Sequence, residues 1–235
     1  MRAFLLSIAL LACAAILPAR AQQPLPGLTE GVHYRTIEGG SPYQKLPPGM
    51  VEVAEVFAYT CPHCAHFAPM LDAWKPKLPK HARLVLVPSV FRREDPWARA
   101  FFAAQSAKSL AVLHPRLFAA IHETGELPPN ASIAQIRAFA GRVQGVDTAA
   151  FNAALQDDAA LLPRLRNAYE FIVRSRIEHT PTLIVAGRYE IIGNNYDSLL
   201  ANARSVVAAL APKRPAPPRK PAPKKTASKK SVSSR

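Results

Sequence analysis

From Val51 to Tyr59 the chain reads Val-Glu-Val-Ala-Glu-Val-Phe-Ala-Tyr, β-branched and aromatic enough for a strand buried on at least one face. Pro62 suits a first helical turn, and the apolar positions behind it, Phe67, Met70, Leu71, Trp74 and Leu78, recur at helical spacing, with Pro69 predicting a kink. Arg83–Pro88 is a second short apolar run, so the three segments form a strand–helix–strand unit. From Asp95 to about Ile177 the sequence is rich in Ala and helical in period. Breaks are predicted at His114–Pro115, at Glu126–Asn130 and near Gly145; helix starts are predicted at Asp95–Pro96, at Asn130 or Ser132, and at Asp147 or Thr148. Strand character returns at Thr182–Val185, followed by a turn at Ala186–Arg188, a strand at Tyr189–Ile192 and an amphipathic helix from Tyr196 to about Leu210. Residues 22–50, rich in Pro and Gly, contain two β-like pieces, Val32–Arg35 and the region near Met50. The pattern predicts an α/β protein with a helical layer inserted between two groups of strands.

The two ends of the chain read differently. Met1-Arg2, an apolar run from Ala3 to Leu17 and Pro18-Ala19-Arg20-Ala21 have the layout of a secretory signal cleaved after Ala21. Leu10-Leu11-Ala12-Cys13 offers a second reading, a lipoprotein signal retaining Cys13, but the later site has the more ordinary apolar length. No later apolar stretch approaches the roughly 20 residues of a membrane-spanning helix. The formal charge of +14 is unevenly spread: residues 212–235 hold nine Lys or Arg and no acid, residues 1–21 hold two, and the remaining nineteen face all sixteen acids. The body therefore carries a surplus of only three, and the basicity belongs to a Pro/Ala/Lys segment too poor in apolar residues to fold. That segment reads either as a solvated extension or as an electrostatic contact with an anionic surface. Lacking aromatics to stack on bases, it argues against sequence-specific nucleic-acid binding.

With Cys13 removed, only Cys61 and Cys64 remain. The loop they close is too small to restrict the unfolded chain, so a reactive pair is more plausible than a stabilising bridge. A thiolate attacks a disulfide, and a second thiol nearby releases the mixed intermediate; Cys-x-x-Cys spacing suits that task. Here the motif follows a buried strand and opens a helix, placing Cys61 at the positive end of the helix dipole. Pro62 fixes a helical φ, and His63 can add positive charge or a hydrogen bond near the Cys61 sulfur; stabilising the thiolate makes the disulfide a stronger oxidant. Cys61, Cys64, His63 and His66 could instead bind zinc, but all four ligands would come from six consecutive residues with no second pair elsewhere. His66 reads as a solvated helix residue, and Phe67, Met70 and Trp74 as core. Alternation along the strand places Glu55 with Val53, Phe57 and Tyr59. It reads either as an edge-of-sheet acid facing solvent or as a partly buried proton carrier for Cys64.

The run Val-x-Glu-Val-Phe-x-Tyr-Thr-Cys-Pro-His-Cys, with the helical insertion and His179-Thr180-Pro181-Thr182-Leu183 entering a hairpin, resembles the periplasmic thiol:disulfide interchange proteins of the DsbA type over about residues 30–210. The resemblance implies a thioredoxin-like fold built from residues 22–91 and 178–211, with an inserted α-helical domain at 92–177. It implies a periplasmic oxidase that donates the Cys61–Cys64 redox-active disulfide to unfolded or reduced exported proteins, Cys61 forming the mixed disulfide and Cys64 resolving it. A membrane quinone-linked oxidase of the DsbB type would recharge it. Pro181 would be the cis-proline that holds substrate backbone, with Thr180 beside it, and Glu55 the buried acid. No metal or organic cofactor is implied, since two sulfurs complete the cycle, and a monomer suffices. Thr180 stands where oxidases of this type usually carry Val and is more familiar in disulfide isomerases, so an isomerase or reductant-fed enzyme is the alternative. A binding protein anchored through its basic tail is the alternative of another class.

Overall fold

The computed structural model describes residues 24–92 and 95–212. The expected signal, Cys13 and nearly all of the basic segment lie outside the described residues. Five strands form one mixed sheet: β1 (Tyr34–Thr36), β2 (Val51–Phe57), β3 (Ala82–Pro88), β4 (Thr182–Val185) and β5 (Tyr189–Ile191), in the order β1-β5-β4-β2-β3. β2 and β3 are parallel, joined through α1 (Pro62–Trp74) as the strand–helix–strand pattern requires; the β2–β4, β4–β5 and β5–β1 pairs are antiparallel. β2 thus sits between two partners, and all seven of its residues are buried. The β4–β5 turn uses Ala186 (φ 54°) and Gly187 (φ 66°) in the left-handed region, and a side chain on Gly187 would strike the Ser41 backbone.

Two cores flank the sheet. On one face Val51 and Val53 pack with Phe67, Leu71 and Trp74 of α1 and with Leu200, Ala203, Val206 and Val207 of α7 (Tyr196–Ala209). On the other, Ala54 and Val56 meet the helical layer, α2 (Pro96–Ser106), α3 (Leu110–His122), α4 (Ile133–Ala140), α5 (Thr148–Gln156) and α6 (Asp158–Arg174). The predicted helix starts coincide with hydrogen-bonded caps: Asp95 accepts from the Trp97 and Ala98 N–H groups, Ser132 makes a reciprocal capping box with Gln135, and Asp147 accepts from Ala150.

Three expectations are corrected. No break occurs at His114–Pro115: α3 starts earlier, at Leu110, and runs through Pro115. Burial of Leu113, His114, Leu117 and Phe118 along one face outweighs the hydrogen bond that proline removes. A further helix boundary falls at Asp157, whose carboxylate caps α6. Phe57 does not share Glu55's side of the sheet. β2 ends there and alternation lapses, so Phe57 packs edge-on against Tyr59, Phe101 and His114 in the helical core.

Candidate active site

Cys61 is the residue on which α1 begins. Its backbone is extended (φ −89°, ψ 115°), Pro62 occupies the first helical position, and the Cys61 carbonyl accepts from the Cys64 and Ala65 N–H groups. This geometry leaves Cys61 half-buried at the helix mouth and Cys64 wholly buried one turn in. Both thiols are free in this structure.

The two sulfurs are electrostatically unequal. Burial alone would raise the Cys61 thiol, but it is outweighed by hydrogen bonds from the Thr180 side chain, from Cys64 and from the His63 backbone N–H. The thiol consequently lies below its ordinary range. Its one contact that favours the protonated form is a bond donated by Sγ to the Thr180 carbonyl at 3.3 Å. Cys64 moves the other way: burial pushes its thiol far above the ordinary range.

Thr180 and Pro181 enter from the loop between α6 and β4, and their peptide bond is cis. The Thr180 carbonyl meets the Cys61 sulfur directly, and beside this contact lies a groove of about 450 Å³ whose lining includes Arg35, His63, His179, Thr180, Pro181 and Tyr196. The Thr180 side chain acts to lower both thiols. A Thr180→Val substitution removes that hydroxyl and keeps the carbonyl contact, so it is expected to raise the Cys61 thiol and make the pair less oxidising. Thiolate absorbance followed against pH measures this directly; an unmoved titration would contradict it.

Glu55 lies on the α1 side of the central strand, opposite Leu86 of β3 and Leu183 of β4, and is only 2 % exposed. The edge-of-sheet reading is overturned, because β2 has a partner on each side. Burial, then Asp72, then Cys61, hold the carboxyl protonated up to about 8. The sulfur that acts on it is Cys61 rather than Cys64, the partner expected from the sequence.

His63 is exposed, and its backbone N–H acts on Cys61. The ring's hydrogen-bond neighbour is Tyr196, whose hydroxyl lies 3.4 Å from Nδ1 and donates to the His63 carbonyl at 3.1 Å. Tyr196 packs on Phe67, ring centroids 5.0 Å apart, and its hydroxyl is raised by burial and then by both sulfurs. Sequence reading passed over this residue as the start of a helix; only the return of α7 to the mouth of α1 places it at the site. His66 is exposed and solvated, and among the described residues no group of His, Cys, Asp and Glu could hold a metal.

A half-exposed thiol of lowered pKa above a buried one, on a helix that follows the central strand and faces a cis-proline, defines a dithiol–disulfide exchange protein of the thioredoxin class. The comparisons agree. The Thioredoxin family matches residues 47–201. The thiol:disulfide interchange protein DsbA of Bordetella pertussis is 33 % identical over 158 residues, 65 % of this chain and 73 % of that protein. Its namesake from Pseudomonas aeruginosa is 31 % identical over 189 residues, covering 79 % and 84 %. The crystal structure of oxidoreductase DsbA from Xylella fastidiosa superposes with a TM-score of 0.71 at 35 % identity, over 79 % of this chain and 97 % of that one. The chain belongs to the thioredoxin family, as a thiol:disulfide oxidoreductase of the DsbA type.

Proposed function

We propose that this enzyme works as an oxidase in the periplasm, donating the Cys61–Cys64 disulfide to reduced exported proteins. The observation that carries this reading is the asymmetry of the two thiols: Cys61 lowered and accessible, Cys64 raised and buried. A substrate thiolate attacks Cys61 Sγ, the Cys61–Cys64 bond breaks, and Cys64 leaves. A leaving thiolate this basic needs a proton, and Glu55, protonated up to about 8 and beside the pair, can hold one. The substrate's second thiolate then attacks its own sulfur in the mixed disulfide and expels Cys61, whose lowered pKa makes it a good leaving group. The products are a substrate disulfide and the reduced pair, so the sulfurs alone complete the exchange. Pro181, with the Thr180 carbonyl, would hold substrate backbone in the groove. Export through residues 1–21 and recharging by a membrane quinone-linked oxidase of the DsbB type complete the proposed cycle.

Thr180 favours a second reading, an isomerase or reductant-fed enzyme. Mixing the oxidised protein with a reduced, unfolded substrate separates the two. The oxidase reading expects one substrate disulfide formed for each Cys61–Cys64 disulfide consumed. A protein that acts only when reduced, and only on substrates with scrambled disulfides, would be an isomerase.

A further inference from the structure

We propose that His122, a residue of the helical layer, is a positioning residue for thiol–disulfide exchange: by holding the Tyr59 carbonyl it fixes the turn that carries the chain from β2 into Cys61.

Three residues, Ala58, Tyr59 and Thr60, join the end of β2 to the nucleophile. The carbonyls along this stretch are held in two ways. Phe57 accepts from the Ser89 N–H at 2.6 Å and Ala58 from the Cys61 N–H at 3.1 Å, both of them backbone bonds. Tyr59, two residues before Cys61, instead meets a side chain from another element: its carbonyl accepts from His122 Nε2 at 2.7 Å. A carbonyl only accepts, so Nε2 carries a hydrogen here, as it does in one neutral tautomer and in the imidazolium. The bond fixes the plane of the Tyr59–Thr60 peptide, one peptide ahead of Cys61.

The rest of Tyr59 is held by the same helix. His114, Phe118 and His122 stand four residues apart on α3 and share one face. The Phe118 ring lies 5.0 Å from the Tyr59 ring, and the Tyr59 hydroxyl is in a 2.8 Å hydrogen bond with His114 Nδ1. Tyr59 and His114 are both buried, so neither polar group has water as an alternative partner. Burial lowers His114 to about 4 and raises the Tyr59 hydroxyl well above its ordinary range, which leaves this bond between two neutral groups at neutral pH. Joining the helical layer to the sheet needs only apolar surface, which Phe101, Leu113 and Leu117 supply. Two histidines on the same face cost desolvation unless they hold a partner, and the partner of both is Tyr59.

Tyr59, gripped at its hydroxyl and at its carbonyl, transmits the position of α3 to the sulfurs. The Cys61 N–H closes on Ala58, and the Ala58 backbone acts on Cys64 in the direction that favours its thiolate. Releasing the turn at Tyr59 therefore disturbs both the mouth of α1 and the surroundings of the buried sulfur. The clamp requires the dithiol chemistry but not its direction, because the same turn presents Cys61 whether the pair donates or accepts a disulfide.

The test compares the full chain with His122→Ala, His122→Gln and Leu117→Val. Gln places an amide N–H close to where Nε2 stands, whereas Leu117→Val loosens the same helix by one methylene and leaves the bond to Tyr59 in place. Each protein is followed by Cys61 thiolate absorbance against pH, by its rate of exchange with glutathione disulfide at fixed pH, and by urea unfolding. His122→Ala should raise the thiolate midpoint by at least about 0.5 and slow exchange at least about fivefold. His122→Gln should return the rate to within about twofold of the parent, and Leu117→Val should lower the urea midpoint while keeping the thiolate midpoint within about 0.2. An unmoved thiolate titration in His122→Ala would overturn the proposal. So would a folded His122→Gln that behaves like His122→Ala, or a thiolate shift in Leu117→Val as large as that in His122→Ala, which would make the effect one of stability alone.

Discussion

Replacing Cys61 with Ser is expected to lower disulfide exchange by at least about a thousandfold while leaving the fold intact. The thiolate is the nucleophile, and the only remaining thiol among the described residues, Cys64, is both buried and held protonated by that burial. Ser is close to Cys in size at a half-exposed position and should change stability by less than about 1 kcal/mol. Cys64→Ser has a different signature. Cys61 keeps its low pKa and still attacks a disulfide, but no neighbouring thiol releases the product, so the mixed disulfide accumulates and is visible by mass. If Cys61→Ser retained exchange and Cys64→Ser lost it without trapping an adduct, the assignment of the two sulfurs would be reversed.

Glu55→Gln should change how stability depends on pH. The folded protein holds this carboxyl's proton up to about 8, whereas the unfolded chain releases it near 4.5. Between those values the native state binds more protons than the unfolded state, so stability falls as pH rises, by about 5 kcal/mol in all, and then levels off. Gln removes that loss, so the variant should gain on the parent progressively from pH 4.5 and most above 8. His114 acts oppositely. Burial lowers it to about 4 from 6.5, so the unfolded chain binds the extra proton and stability rises with pH across that range. In the parent the two slopes offset each other between 4.5 and 6.5; in Glu55→Gln the His114 slope should no longer be offset by Glu55. Urea unfolding at pH 5, 7 and 9 checks this, and parallel profiles for parent and variant would refute it. Under the proposed mechanism, in which Glu55 supplies the proton taken up by the leaving Cys64 thiolate, substrate oxidation by the variant should also slow.

What the sequence could reveal was what adjacent residues decide. Asp95, Ser132 and Asp147 cap their helices with their own side chains, and the runs at 51–59 and 182–185 have the composition of buried strands; the run at 83–88 reads as buried too but forms the edge strand β3, of which only Val87 and Pro88 are buried. Cys61 at a helix mouth followed from the order strand, Pro62, helix. What escaped depends on contacts across the fold. Pro115 reads as a break unless the buried face carried by His114 and Phe118 is known. Glu55 looks like an edge acid until β4 is seen to close the second side of β2. Tyr196 gains its role from a residue 133 positions away in the chain. The opposition of Thr180 and Pro181 to the cysteines was legible only through the family resemblance, since nothing local to either segment encodes it.

Under the proposed function this site stabilises the Cys61 thiolate and so makes the disulfide a donor. Equilibrating the Cys61–Cys64 pair against defined glutathione buffers, with Trp fluorescence as the readout, tests it most directly. A potential well above roughly −200 mV is the expected result; one near the roughly −270 mV of a thioredoxin reductant would contradict the account.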